Sequence, residues 1–189
     1  MTIPRPPLIG WKSHVSGFWY RDERGSSLTV CHDSSHRDTV MSERTAKTLR
    51  TTPEEWRRVM GVNLDGVHHV VQAFAPGMAA RRDGRIVTVS ACLGRMSGPG
   101  TAGGLSAYRV SKAAVNAYTK NLAAELGGGR RGVLVDATCP AHCRTDMGGP
   151  DAPRSAEQGA ATAVWLAARP LLDGTETGVL WEDRDVVPW

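Results

Sequence analysis

The sequence predicts an α/β fold: a partial doubly wound parallel sheet with flanking helices, preceded by an irregular stretch over residues 1–50. Two observations predict it. From Thr51 onward, helical and strand patterns alternate. The two clearest strands, Arg85-Ile86-Val87-Thr88-Val89-Ser90 and Gly132 through Pro140, are near-continuous apolar runs rich in β-branched residues. Such runs belong to parallel strands covered on both faces.

Residues 1–50 show neither strand nor helix periodicity over a useful length. The best strand candidate there is Ser27-Leu28-Thr29-Val30-Cys31. Cys31, His32 and His36 can be drawn as a metal site, but no second ligand pair at zinc spacing follows, so no metal is expected. A poorly ordered leader is the expectation for this stretch. At Thr51 the character changes. Thr52-Pro53-Glu54-Glu55 is a helix start with a cap, a first-turn proline and the glutamate of a capping box. Val59, Val62, Val67, Val70 and Phe74 form its apolar stripe, Asn63 and Gly66 lie on the same stripe, and Pro76-Gly77 should kink or end the helix.

Arg81 to Gly84 reads as a turn before the first clear strand. A loop with five glycines, Gly94 to Gly104, follows that strand. Ser106 should cap the next helix, which runs to about Leu126 and stops at Gly127-Gly128-Gly129. After the second strand, Ala141 to Pro150 is loop. Ser155-Ala156-Glu157-Gln158 is a capping box opening a helix to about Ala168, Thr177 to Trp181 is a short strand, and Glu182 to Trp189 is a polar tail. The domain boundary thus falls at residue 50, with residues 51–189 as the folded part.

The chain has 189 residues, 41% of them hydrophobic, which suits one domain with a real core. Net charge is +4, from scattered arginines, so nucleic-acid binding is weakly indicated and none is expected. No apolar run approaches the roughly 20 residues that a membrane helix needs, and no signal-peptide core follows the first residues. The four cysteines have no C-x-x-C spacing, and reduced thiols in a cytoplasmic protein are the expectation.

The chemistry centres on Tyr108-Arg109-Val110-Ser111-Lys112. Residues four apart on a helix share a face. An ammonium beside a phenol favours the phenolate and draws its pKa down from about 10. A phenol so tuned can exchange a proton with a substrate oxygen near neutral pH.

With these motifs in place, residues 51–189 resemble the short-chain dehydrogenase/reductase family, and within it the carbonyl-reductase-like members. The matching pieces are Trp56 through Asn63-Leu64-Asp65-Gly66, Gly84 through Ser90, Tyr108 through Lys112, Cys139-Pro140 through Arg144-Thr145-Asp146-Met147, Ala152-Pro153-Arg154-Ser155 with Gly159-Ala160, and the closing Val187-Pro188-Trp189. The resemblance implies a Rossmann-like sheet and an oxidoreductase moving hydride between NADP or NAD and a small-molecule carbonyl or alcohol. It implies that Tyr108 is the acid/base, that Lys112 tunes it and holds the nicotinamide ribose, and that Asn63 keeps a water in the proton relay through its backbone carbonyl. It also implies that Pro140 and Thr145 contact the nicotinamide end, and that the helices containing Asn63 and Tyr108 can build a homo-oligomer interface.

Three departures stand against that pattern. The family has two serines after the first clear strand, the second polarising the carbonyl; here the pair is Ser90-Ala91, so Ser90 is the remaining candidate, and it would point to the opposite face unless the strand bulges. The family's Pro-Gly is Pro140-Ala141, which puts alanine where positive φ is needed. The glycine-rich phosphate turn is missing, so the sheet is expected to lack its central strands and expose an edge. The alternative reading is a catalytically inactive, truncated remnant that associates with a full-length relative.

Overall fold

Ile86 and Val87 are neighbours in the chain and are buried in separate cores. Successive side chains of a strand point to opposite faces, so a strand that is apolar throughout demands cover on both sides. The structure, a computed structural model, describes residues 17–21, 27–31, 47–145, 147–172 and 174–189. The side chains of Cys31, His32 and His36, and most of the expected leader, lie outside the described residues.

Six strands lie in sequence order in one sheet: β1 (Gly17–Arg21), β2 (Ser27–Cys31), β3 (Gly84–Val89), β4 (Val133–Thr138), β5 (Leu180–Glu182) and β6 (Asp185–Val187). β2 to β5 are mutually parallel, and β1 and β6 close the two edges antiparallel. β2 is the strand expected from its β-branched run. It pairs with β3 from Leu28↔Arg85 to Cys31↔Thr88, so β3 is not the exposed edge that the sequence suggested. β6 is a second correction. Asp183 and Arg184 adopt left-handed φ of 51° and 68°, which folds the supposed tail back onto β5 as a tight hairpin.

The first helical region is α1 (Pro53–Met60), a π-turn (Gly61–Asp65) and α2 (Gly66–Arg81) run end to end. Thr52 caps it, its side chain accepting from the Glu55 N–H, an interaction typically stabilising by about 1 kcal/mol. Pro76 does not end the helix, which continues to Arg81. α3 (Ser106–Glu125) begins differently from expectation. Leu105, in the left-handed region at φ 51°, occupies the cap position, and Ser106 is already helical, its hydroxyl 3.0 Å from that of Thr51. That bond ties the start of α3 to the start of α1. α4 (Ala156–Ala168) opens on the expected capping box of Ser155 and Gln158.

α2 and α3 cover one face of the sheet. Val67, Val71, Ala75 and Met78 meet Ile86, Val115, Val133 and Val135 there. α4 covers the other, where Ala163 and Leu166 meet Val87 and Trp181. Full burial of each large aliphatic side chain stabilises by roughly 1.5–3 kcal/mol. Asp136 alternates with Val135 and so falls on the α4 face, where it pairs with Arg169 at 2.7 Å. The Arg169 guanidinium lies 5.0 Å from the Trp181 ring and 5.5 Å from that of Trp165. Burial pushes the Asp136 carboxyl up to about 6, against the downward pull of Arg169.

Candidate active site

Parallel strands carry their following loops at the same edge of the sheet. The segments leaving β3 and β4 there enclose, with α3 and α4, a mostly apolar cavity of about 750 Å³. Ser90, Tyr108, Lys112, Pro140 and Thr145 line it, so five of the six sequence-predicted site residues meet on one wall. Asn63 does not line it and stands behind α3.

Lys112 is buried, and its Nζ donates to the Val89 carbonyl at 3.1 Å. That bond anchors the ammonium at the end of β3. From there Nζ lies 5.6 Å from the centre of the Tyr108 ring, as the four-residue spacing requires. Gly94 presses directly on this turn: a Cβ there would come within 2.6 Å of the Lys112 carbonyl carbon, so only glycine lets the loop approach. Two α3 side chains strap the same loop down. Asn116 Nδ2 donates to Gly94 O at 3.2 Å, and Arg109 Nη1 donates to Pro99 O at 2.8 Å and Gly100 O at 3.2 Å.

Asn63 sits on the π-turn and is buried. Its Nδ2 donates to Ser111 Oγ at 2.9 Å, and the Ser111 hydroxyl donates to Tyr108 O at 2.7 Å. A chain of two bonds therefore runs from the π-turn to the backbone of Tyr108. π-turns inside α-helices often mark functional positions, because they break the regular i→i−4 ladder; here the Gly66 N–H reaches back to Gly61 O.

Ser90 follows Ile86 and Thr88 on the α3-facing side of the sheet. Its hydroxyl donates to Asn116 Oδ1 and lies 3.3 Å from Lys112 O. The strand does not bulge, and Ala91 lines the cavity next to Ser90. Ala141 has φ 58°, the left-handed conformation anticipated for the residue after Pro140. Thr145 Oγ1 accepts from the Gly148 N–H at 3.2 Å, which closes the loop that carries it.

Sequence reasoning missed the sulfur on this wall. Cys92 and Cys139 form a disulfide, contrary to the expectation of reduced thiols. They lie 47 residues apart in sequence, and only the pairing of β3 with β4 brings their Cα atoms to 5.7 Å. Cys143 is free, its thiol raised by burial against the weaker pull of Arg154 and Arg144.

The fold and motifs have clear relatives. Residues 39–155 match the family model for short chain dehydrogenases. The oxidoreductase UcpA of Salmonella typhimurium is 39% identical over 127 residues, covering 63% of this chain and 45% of that protein. A 3-oxoacyl-(acyl-carrier-protein) reductase, FabG of Thermotoga maritima, is 39% identical over 104 residues, covering 55% of this chain and 40% of its own. Among solved structures, the carbonyl reductase Sniffer of Drosophila melanogaster superposes with a TM-score of 0.68 at 22% identity, over 79% of this chain and 63% of that one, which shows the shared fold. The chain thus spans less than half the length of these curated relatives. No helix among the described residues is long and apolar enough to cross a membrane. With its family model matched over more than half its length, and with helix, strand and motif order in agreement, the chain belongs to the short chain dehydrogenase family.

Proposed function

We propose that this chain carries the catalytic part, residues 51–189, of an NAD(P)-dependent oxidoreductase of the carbonyl-reductase-like kind, acting on a small carbonyl or alcohol. The observation that carries the reading is the pairing of Tyr108 with a buried Lys112 on the wall of an apolar cavity. A nicotinamide, when bound, supplies or accepts the hydride. Tyr108 gives its phenolic proton to the substrate oxygen in reduction and takes it back in oxidation. The Lys112 ammonium favours the phenolate left behind and would hold the nicotinamide ribose. Asn63 acts from behind, through Ser111, to position the Tyr108 turn and to hold a water for proton return. Pro140 and Thr145, which line the cavity, would hold the nicotinamide end. Ser90 serves through α3, since its hydroxyl is already committed to Asn116.

The nicotinamide end of a dinucleotide fits these residues. The diphosphate end does not: the sequence after β2 has no glycine until Gly61, so it carries no glycine-rich motif for that end. That mismatch favours a second reading, in which the chain associates with a full-length relative through the helices containing Asn63 and Tyr108.

Two measurements test the proposal. Calorimetric titration of the folded chain with NADPH and NADH should give binding at micromolar concentration. Tyr108→Phe should then lower carbonyl reduction by at least about 10²-fold, the usual range for losing a general acid. Turnover retained in Tyr108→Phe would remove its role, and no binding by a folded chain would transfer the argument to the second reading.

A further inference from the structure

The surroundings of the Cys92–Cys139 disulfide are those of a thiol pair. Cys139 Sγ accepts two backbone N–H groups, from Cys92 at 3.0 Å and from Ala141 at 3.4 Å. Two N–H dipoles aimed at one sulfur favour a thiolate, as hydrogen bonds to a charged form do. Glu182 Oε2 lies 3.1 Å from Cys92 Sγ. A disulfide sulfur has no proton for that carboxylate, whereas a thiol donates to it and a cation shared with the sulfurs binds it. The two sulfurs and a Glu182 oxygen all lie within 4.8 Å of one another. Ligands arranged about one zinc-type ion, at Zn–S of about 2.3 Å and Zn–O of about 2.0–2.2 Å, need that closeness.

We propose that the reduced pair Cys92 and Cys139, with Glu182, forms a binding site for a thiophilic divalent cation on the wall of the cavity. A dithiol or phosphine reductant supplies two electrons, and the disulfide takes up two protons to become two thiols. The ion then displaces both protons, binding two thiolates and one carboxylate and leaving a coordination position for water. A two-electron oxidant such as a peroxide takes two electrons from the thiolate pair, the S–S bond forms again and the ion leaves, so occupancy reports the redox state. The three ligands come from the ends of β3, β4 and β5, so a site here crosslinks three neighbouring strands.

The test uses the whole chain, reduced with a phosphine and titrated with Co²⁺. The expected result is one ion per chain with a thiolate-to-cobalt charge-transfer band, absent from the oxidised chain. Zn²⁺ should protect Cys92 and Cys139, but not Cys143, from alkylation, as read by peptide mass spectrometry on the unaltered sequence. Glu182→Gln should weaken affinity at least tenfold and keep the band. No band in the reduced chain, protection of Cys143 in place of the pair, or undiminished affinity in Glu182→Gln would overturn the site.

Discussion

Asn63 Nδ2 on the π-turn and Ser111 Oγ on α3 are 2.9 Å apart, both buried. The pair locks the helix that precedes β3 to the helix that carries Tyr108 and Lys112. Asn63→Ala leaves the Ser111 hydroxyl without this donor in a closed interior. A buried polar group that loses its partner costs about 1–3 kcal/mol. Urea unfolding should show a loss of that size, and Ser111→Ala should show a smaller one when combined with Asn63→Ala than alone, because the two share one bond.

Ala141 holds φ 58°, a conformation that costs an L-residue roughly 1–2 kcal/mol. Ala141→Gly should therefore stabilise the chain, by a net of about 1 kcal/mol or less after the added freedom of glycine in the unfolded chain is counted. Thermal unfolding of the two forms side by side checks it. A lower midpoint for Ala141→Gly would contradict strain at this position.

The Asp136 carboxyl, pushed up to about 6 mainly by burial, sets a pH dependence. Its folded value lies above the unfolded value of about 3.9. The folded state thus binds the proton more tightly, and stability from this group is gained as pH falls from above 6 towards 4 and lost as pH rises through 6. The stability difference between the natural chain and Asp136→Asn should accordingly shift in favour of the natural chain between pH 7 and pH 5. A carbonyl-carbon NMR titration should place the Asp136 midpoint near 6.

Ala91 occupies the cavity position after Ser90, whose own hydroxyl is held under α3. Under the oxidoreductase reading, Ala91→Ser restores a donor to the substrate oxygen. Loss of one such donor typically costs about 10²–10³ in rate, so its return should raise turnover at least tenfold. Steady-state kinetics with a small carbonyl measures it, and an unchanged kcat would mean that another group already serves that oxygen.

Legibility in the sequence followed locality. Thr52 and the Ser155-Gln158 box mark helix starts because capping is a contact between residues three apart. The apolar runs of β3 and β4 announce their burial on two faces, and Tyr108 with Lys112 is fixed by one helical turn. Ser106 misled because a left-handed Leu105 could take the cap position once Thr51 supplied a partner for the serine hydroxyl. Pro76 misled because a helix packed against β3 tolerates one missing N–H.

The sequence by itself determined the order of helices and strands from α1 to β5, the phenol–ammonium pair and the family, since each depends on neighbours within a turn or on motifs in series. Tertiary structure alone decided what strand pairing and packing bring together: β2 beside β3, Cys92 against Cys139 and Glu182, Asn63 against Ser111, and Ser90 turned away beneath Asn116. These contacts join residues 26 to 90 positions apart. No local pattern encodes such distances, because they are set by sheet register and helix packing rather than by spacing along the chain.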